Sequence, residues 1–177
     1  MDGRISLWTL TPSGTTFSEV RDYGPYPGWN AEKIGVGPDG RTWVLWKNTG
    51  GKISIWAINP DGTLLVQDYG PYGGWNAQDF MVGGDGRLRI VWAHTDGRIS
   101  LWRVDAPGNF STVDYGPYDG WSFFAMSMGR DNKERILWRG FDGKVSLWKV
   151  ETDWSIAAED YGPYEGWGAA LFGVSAP

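Results

Sequence analysis

Hydrophobic residues in this chain occur in short runs rather than with a helical period. Runs such as "RTWVLWK" (41–47) and "KISIWAI" (52–58) are rich in Val, Ile and Trp, as β-strands are. The apolar residues occupy both faces of an extended strand, since Ile53 and Ile55 share one face while Trp56 lies on the other. A strand that is apolar on both faces is covered on both faces. The pattern predicts an all-β protein with sheets packed against other sheets.

Tight-turn sequences separate these runs. "GPDG" (37–40) and "NPDG" (59–62) combine Gly, which accepts a positive φ, with Asp, which hydrogen-bonds within its own turn. No segment keeps a 3.6-residue apolar period for ten residues, so no helix is predicted. In the second copy of the repeat described below, the strands are expected at about 32–37, 41–47, 52–58 and 63–69.

The chain is a tandem repeat. The octapeptide "DYGPYxGW" occurs at 22–29, 68–75, 114–121 and 160–167, a constant spacing of 46 residues. A second marker, "ISLW" or a close variant, ends at Trp8, Trp56, Trp102 and Trp148. A third marker, "VLW" or a close variant, occurs only three times and ends at Trp46, Trp92 and Trp138.

A repeat of this length with four strands is typical of a β-propeller blade. We therefore predict one repeat domain over 1–177, a propeller of four four-stranded antiparallel blades of about 46 residues each. The third marker has no fourth copy, so fifteen of sixteen strands are expected.

The sequence leaves the assignment of strands to blades open. If the octapeptide separates blades, the closing blade combines strands from both ends of the chain and lacks an inner member. If each blade begins at "ISLW", the last blade lacks its outermost strand. A second copy of the chain, in a homo-oligomer, could also complete the open blade and cover its edge.

Composition and charge argue against several classes of function. Gly (27) and Pro (10) make up roughly a fifth of the 177 residues, against about 12% in average proteins, yet 16% of residues are aromatic, which indicates a folded, turn-rich chain. The net charge of −5 and the lack of a basic run argue against nucleic acid as a partner. No stretch approaches the roughly 20 apolar residues of a membrane helix, so no membrane insertion is expected. Cellular location stays unknown, with a secreted or cell-surface place favoured over the cytoplasm.

The octapeptide is the candidate binding element. Gly and Pro restrict its backbone, and Tyr and Trp offer flat apolar faces with a polar donor, which suit the C–H patches and hydroxyls of a sugar ring. The residue that varies within it (Pro27, Gly73, Asp119, Glu165) is expected to be exposed and to tune each copy. The candidate ligand-binding residues are Tyr26, Trp29, Asn30, Tyr72, Trp75, Asn76, Tyr118, Trp121, Tyr164 and Trp167.

These features resemble those of the tandem-repeat β-propeller lectins, such as the fungal and bacterial fucose-binding propellers and the tachylectin-like group. The resemblance covers the whole chain through the repeat length, the four-stranded unit, "GW" after a turn and the aromatic load. It implies a multivalent carbohydrate-binding protein with glycans or glycoconjugates as partners. The Arg/Glu/Trp sugar triad of the fucose lectins has no consistent counterpart, because Arg89 and Arg135 replace Trp43 of the earlier copy.

Catalysis is not expected. The only histidine, His94, lies beside a turn without a counterpart in the other copies and is interpreted as a solvated turn residue. The chain has no cysteine, no repeated Ser/His/Asp arrangement and no calcium-loop pattern, so we expect no catalytic residue, no metal and no cofactor. The alternative to a lectin is an architectural or protein-interaction propeller, in which the octapeptide aromatics only fill the space between blades.

Overall fold

The computed structural model describes residues 2–11 and 13–165, which form fourteen β-strands and no helix. The strands lie in four antiparallel sheets, A to D in chain order. Sheet A has two strands, β1 (Ile5–Leu10) and β2 (Phe17–Tyr23). Sheet B has four, β3 (Trp29–Val36), β4 (Thr42–Asn48), β5 (Ile53–Ile58) and β6 (Leu64–Tyr69).

Sheets C and D repeat the meander of sheet B, with each strand paired to the next one along the chain. Sheet C contains β7 (Trp75–Val82), β8 (Leu88–His94), β9 (Ile99–Ala106) and β10 (Asn109–Tyr115). Sheet D contains β11 (Trp121–Met128), β12 (Glu134–Gly140), β13 (Val145–Val150) and β14 (Ile156–Tyr161). The predicted all-β, blade-like propeller architecture is confirmed.

The structure decides how strands belong to blades. The octapeptides connect β2 to β3, β6 to β7 and β10 to β11, so each one links two sheets. This is the first of the alternatives above, and sheet A corresponds to the third and fourth strands of the meander. The fifteenth expected strand would lie in residues 166–177, outside the described residues.

Neighbouring sheets pack face to face through three apolar clusters. Trp46 and Trp56 of sheet B face sheet A, whereas Trp43 and Ile55 belong to the cluster shared with sheet C. A third cluster joins sheets C and D. Every residue of β5 is buried, which explains why that strand is apolar on both faces.

The first strands of the sheets lie next to one another, since β3 contacts β7 and β7 contacts β11. Each of these strands carries a β-bulge at the same place in the repeat. The extra residues are Glu32, Gln78 and Phe124. A bulge sharpens the local twist, so its recurrence gives the three four-stranded sheets the same bend beside the loops that precede them.

Candidate functional site

The octapeptide belongs partly to two strands. Its Asp and Tyr are the last residues of one sheet, and its Trp is the first residue of the next. Between them, Gly24 and Gly28 have φ values of 104° and 82°, which glycine adopts without strain. A Cβ atom on Gly24 would lie 2.6 Å from the carbonyl oxygen of Gly3, so both conformation and space require glycine there.

The first octapeptide forms a wall of an aromatic cleft on sheet B. The ring of Tyr26 meets Trp46 and Trp56 edge to face, at centroid distances of 5.7 and 5.2 Å. Trp29 and the carboxylate-bearing Asp68 complete the walls. The cleft has a volume of about 290 Å³ and opens to solvent along the outer strand β6.

The same cleft recurs on sheets C and D, with volumes of about 210 and 200 Å³. Each copy combines the Tyr and Trp of the preceding octapeptide, the Trp of the third marker, the Ser and Trp of the second marker, and the Asp of the following octapeptide. In sheet C these residues are Tyr72, Trp75, Trp92, Ser100, Trp102 and Asp114. In sheet D they are Tyr118, Trp121, Trp138, Ser146, Trp148 and Asp160.

The backbone of the first, third and fourth octapeptides is hydrogen-bonded to residues that lie earlier in the chain. The N–H of Tyr118 donates to the carbonyl oxygen of Gly97, at 3.1 Å, while its ring lies 4.9 Å from that of Trp148 in the next sheet. Burial raises the pKa of the Tyr118 hydroxyl, which favours its neutral form. The loop thus joins two sheets and shapes the cleft between them.

The clefts contain polar groups without a protein partner. Each includes one indole N–H, that of Trp46, Trp92 or Trp138, which is buried and has no acceptor among the described residues. The hydroxyl of Ser54 is also unpartnered in the sheet B cleft, whereas Ser100 accepts a hydrogen bond from the indole N–H of Trp102 at 3.1 Å. Buried polar groups are normally hydrogen-bonded. Trp43, which lines none of the three clefts, has an indole N–H that is equally unpartnered in the described part of the chain, so this feature alone does not mark a ligand position.

The structure brings most of the predicted residues together. The octapeptide aromatics at positions 26, 29, 72, 75, 118 and 121 all line the clefts. Asn30 and Asn76 are not among the cleft-lining residues, and the Asn30 amide donates to Glu32 at 2.8 Å instead. Tyr164 is exposed on the fourth octapeptide, and Trp167 lies outside the described residues.

Sequence reasoning missed half of each cleft. The tryptophans of the second and third markers and the octapeptide Asp were recognised as repeat positions but not as site residues. The missed residues are Trp46, Trp56, Asp68, Trp92, Trp102, Asp114, Trp138, Trp148 and Asp160. These residues recur every 46 residues, as the octapeptide does, and that recurrence could have identified them as site residues. Residues that keep the same position within each repeat also keep the same position within each folded unit.

His94 differs from its interpretation as a solvated turn residue. It ends β8 beside the turn, but its side chain is largely buried against Trp75, with ring centroids 4.8 Å apart. Its Nδ1 atom lies 2.6 Å from the carboxylate of Asp96. Among residues 2–11 and 13–165, no group of three His, Cys, Asp or Glu residues is arranged to hold a metal ion. Within the same ranges, no helix is long and apolar enough to cross a membrane.

Comparisons with known proteins place the fold only. No family model matches the sequence, and no curated protein matches it. A solved structure of a protein of unknown function from Bacteroides caccae is similar, with a TM-score of 0.55 and 10% sequence identity. The match covers 88% of this chain and 53% of the other, so this chain spans about half the length of that protein.

Proposed function

We propose that the protein is a multivalent, non-enzymatic carbohydrate-binding protein whose ligands occupy the aromatic clefts of sheets B, C and D. The observation that carries the proposal is the threefold recurrence of one cleft with aromatic walls and a carboxylate at its edge. Volumes of about 200–290 Å³ lie at or below the lower end of the range for drug-sized ligands, roughly 300–1,000 Å³, which favours a guest of one sugar residue.

The chemistry of the cleft suits a sugar ring. Tryptophan and tyrosine rings offer apolar faces for C–H patches, and an indole N–H can donate to a ring or hydroxyl oxygen. An exposed carboxylate such as that of Asp68 accepts hydrogen bonds from hydroxyls, and charge-assisted bonds of this kind are about twice as strong as neutral ones. None of the residues lining these three clefts is a lysine or arginine, so the site is unsuited to phosphate.

Three equivalent weak sites on one rigid body favour surfaces that display many sugars. Linking binding sites raises the overall affinity by about 10²–10⁴ without any new contact, provided that the sites engage together. The octapeptide is repeated, on this proposal, because valency rather than single-site affinity is what the protein needs.

The architectural alternative has its own support. Tyr26 and Trp29 pack against the cluster of Trp46 and Trp56 and so help to join sheet A to sheet B. A purely structural octapeptide would make the same contacts. The two proposals assign different roles to the carboxylates of Asp68, Asp114 and Asp160. These side chains are exposed and contribute little to packing, so only the carbohydrate-binding proposal gives them a function.

The decisive experiment combines a glycan array and free-sugar competition with a triple variant, Asp68→Asn, Asp114→Asn and Asp160→Asn. We expect wild-type binding to at least one glycan class and a loss of about tenfold or more per site in the variant, with little change in thermal stability. Asp105→Asn is the matched control, since its exposed carboxylate pairs with Arg87 outside the clefts. Absence of binding to any glycan would favour the architectural alternative.

A second copy of the chain is the further partner we propose. Trp8 in sheet A is 56% exposed, whereas its counterpart Trp56 is 6% exposed because the first octapeptide and sheet A cover it. A homo-oligomer could cover Trp8 in the same manner. Light scattering during size-exclusion chromatography tests this directly, and a monomeric mass of about 19.7 kDa would contradict it.

A further inference from the structure

The cleft on sheet D lies next to a second, larger cleft with which it shares three lining residues. Tyr118, Trp121 and Trp138 line both, and the second cleft has a volume of about 570 Å³. Its far side is formed by the turn between β8 and β9 of sheet C. The clefts of sheets B and C are built from the same repeat positions, but the side chains beside the octapeptide Trp differ among the three sheets.

The first such side chain stands where β12 ends. In sheet C the corresponding position is His94, which lies on the ring of Trp75 with centroids 4.8 Å apart. Sheet B has Asn48 there, but sheet D has Gly140, and a Cβ atom on this glycine would lie 3.4 Å from the ring of Trp121. His94 therefore covers part of the Trp75 ring in sheet C, whereas Gly140 leaves the corresponding surface of the Trp121 ring uncovered in sheet D.

A second difference lies one residue further on. Thr49, Thr95 and Phe141 occupy this position, and each donates its backbone N–H to the glycine carbonyl that precedes the octapeptide Trp, at 2.8–3.1 Å. This backbone hydrogen bond is thus common to all three sheets. The Phe141 side chain is 81% exposed and lines the second cleft. This is the highest exposed fraction among the large apolar side chains of the described residues, and a flat ring beside a sugar-sized cleft offers a second stacking surface.

The second cleft also contains polar groups for orientation. Asp119, which occupies the variable sixth position of the octapeptide, lines it together with Ser122. The opposite side carries Asp96 and Arg98, whose carboxylate and guanidinium are 2.9 Å apart. Donors and acceptors on two sides of an apolar floor can hold a second polar ring in one orientation.

We infer that the sheet D site binds two linked sugar residues, one in the cleft of Trp121 and Trp138 and the next in the adjoining cleft on Phe141, whereas the sites of sheets B and C bind one. The inference rests on the proposed function. It makes Phe141 and Gly140 residues that determine specificity, since they set the length of glycan that one of the three sites accepts.

The test reads the sites separately through the indole N–H signals of tryptophan in two-dimensional NMR. Trp121 and Trp138 report on sheet D, and Trp75 and Trp92 report on sheet C. Five pairs of probes would be titrated: glucose and cellobiose, galactose and lactose, mannose and mannobiose, N-acetylglucosamine and chitobiose, and fucose and 2′-fucosyllactose.

For the pair that binds, we expect the longer sugar to bind sheet D about tenfold more tightly than the monosaccharide, with less than a threefold difference at sheet C. Phe141→Thr, which installs the residue found in sheets B and C, should remove the preference at sheet D and leave monosaccharide binding unchanged. Because the Phe141 side chain is exposed, this variant should fold normally. Gly140→His, which recreates the cover that His94 provides, should have the same effect.

Thr95→Phe makes the reverse exchange in sheet C, where His94 still covers Trp75, and it should produce no preference for the longer sugar in the Trp75 and Trp92 signals. Because Thr95 also lines the second cleft, this variant is read at sheet C only. If sugars bind but sheet D shows no preference, or if Phe141→Thr leaves the preference intact, the inference is wrong and the proposed function stands. If none of the ten probes shifts any of the four tryptophan signals, both are wrong for these sugars.

Discussion

Two interfaces of the molecule, between sheets B and C and between sheets C and D, use the same repeat positions. Three of these positions hold apolar residues in the first interface and charged residues in the second. In the first, Trp43, Ala57 and Leu88 belong to one buried apolar cluster. One repeat of 46 residues later, the same three positions hold Arg89, Arg103 and Glu134. Arg89 and Glu134 are buried and Arg103 is largely buried, so a charged triad has replaced an apolar one inside an otherwise similar interface.

The charged triad is fully hydrogen-bonded. One carboxylate oxygen of Glu134 accepts from the Nε atoms of Arg89 and Arg103, at 3.1 and 2.9 Å, and the other accepts from Arg103 at 3.0 Å. Asp85 binds Arg89 through two further bonds of 2.8 Å. Arg103 also donates to two backbone carbonyls and lies 3.8 Å over the ring of Trp154.

The comparison teaches that the same backbone positions accept either apolar or charged side chains. Charged side chains are accepted there when each of them has its hydrogen-bonding partners. Apolar residues at these positions need no particular geometry beyond close packing. Buried charges need partners on every side, because an unpaired one carries a large desolvation cost. The interface between sheets C and D is therefore expected to be more sensitive to single substitutions than the one between sheets B and C.

The largest effect is expected from Glu134→Leu. Leucine is the residue at this position in the interface between sheets B and C, yet here it leaves two arginines buried without their shared carboxylate. Breaking a buried ion pair in this manner costs about 3–5 kcal/mol of the free energy of unfolding. Urea denaturation followed by tryptophan fluorescence measures the loss.

The control for this prediction is the complete exchange Arg89→Trp, Arg103→Ala and Glu134→Leu, which installs the apolar triad of sheets B and C. Replacing a whole buried charged network by packed apolar residues is often neutral or stabilising, by about 1–4 kcal/mol. The triple variant should therefore recover most of the stability that the single variant loses. A triple variant as unstable as the single one would show that the two interfaces are not interchangeable.

A smaller effect concerns acid. Burial alone would raise the pKa of the Asp85 carboxyl, but hydrogen bonds from Arg89 and the Arg87 backbone, with the charges of both arginines, outweigh it and lower the pKa. The stability this carboxylate contributes is present above its unfolded pKa, about 3.9, and is lost as the pH falls through its lower folded pKa. Acidification from pH 7 to below about pH 4 should thus reduce the free energy of unfolding more in wild type than in Asp85→Asn.

Urea titrations at several pH values check this comparison. Asp105→Asn is the control, because its carboxylate pairs with Arg87 at the surface, with roughly half of each side chain exposed. Identical acid sensitivity in wild type and Asp85→Asn would mean that the Asp85 carboxylate contributes nothing to the pH dependence of stability.

Much of the fold followed from spacing alone. Strands that recur every 46 residues, with turn chemistry between them, predicted the four-stranded meander, and the observed strands of sheet B begin within three residues of the predicted ones. The main shift is at Trp29, which was assigned to the loop but begins β3. An aromatic residue after a Gly turn carries no local signal that separates loop from strand; pairing with Asn48 decides it.

About half of the residues of each cleft could be predicted from the sequence. The octapeptide is contiguous in sequence, so its aromatics could be chosen as a group. The carboxylate of the same cleft comes from the next octapeptide, as Asp68 does for Tyr26, and only packing reveals that two copies of the motif contribute to one site. The charged triad was equally hidden, since Arg89 and Glu134 are 45 residues apart and each looks like an ordinary strand residue.

The smallest expected effect concerns the first strands of the sheets, β3, β7 and β11. Between these strands, the interface of sheets B and C carries an ion pair and the interface of sheets C and D has an apolar residue at the corresponding position. Lys33 of β3 forms an ion pair with Asp79 of β7, whereas one repeat later the position that corresponds to Asp79 is the apolar Ala125 of β11. Nearly half of the Lys33 side chain is exposed, whereas Asp79 is largely buried and also accepts a hydrogen bond from the backbone N–H of Phe80 at 2.8 Å. We therefore place this pair at the upper end of the range for exposed ion pairs, about 0.2–1 kcal/mol. Lys33→Met should therefore lower the free energy of unfolding by no more than about 1 kcal/mol.

Salt provides the check on that small number. Screening weakens a solvent-exposed pair far more than a buried one, so the difference between wild type and Lys33→Met should vanish at about 1 M NaCl. The loss caused by Glu134→Leu should persist at the same salt concentration, because Glu134 is only 2% exposed and its cost is one of desolvation. Methionine keeps an apolar chain like that of lysine, so a Lys33→Met effect that survives high salt would mean that the largely buried Asp79 carboxylate needs its partner.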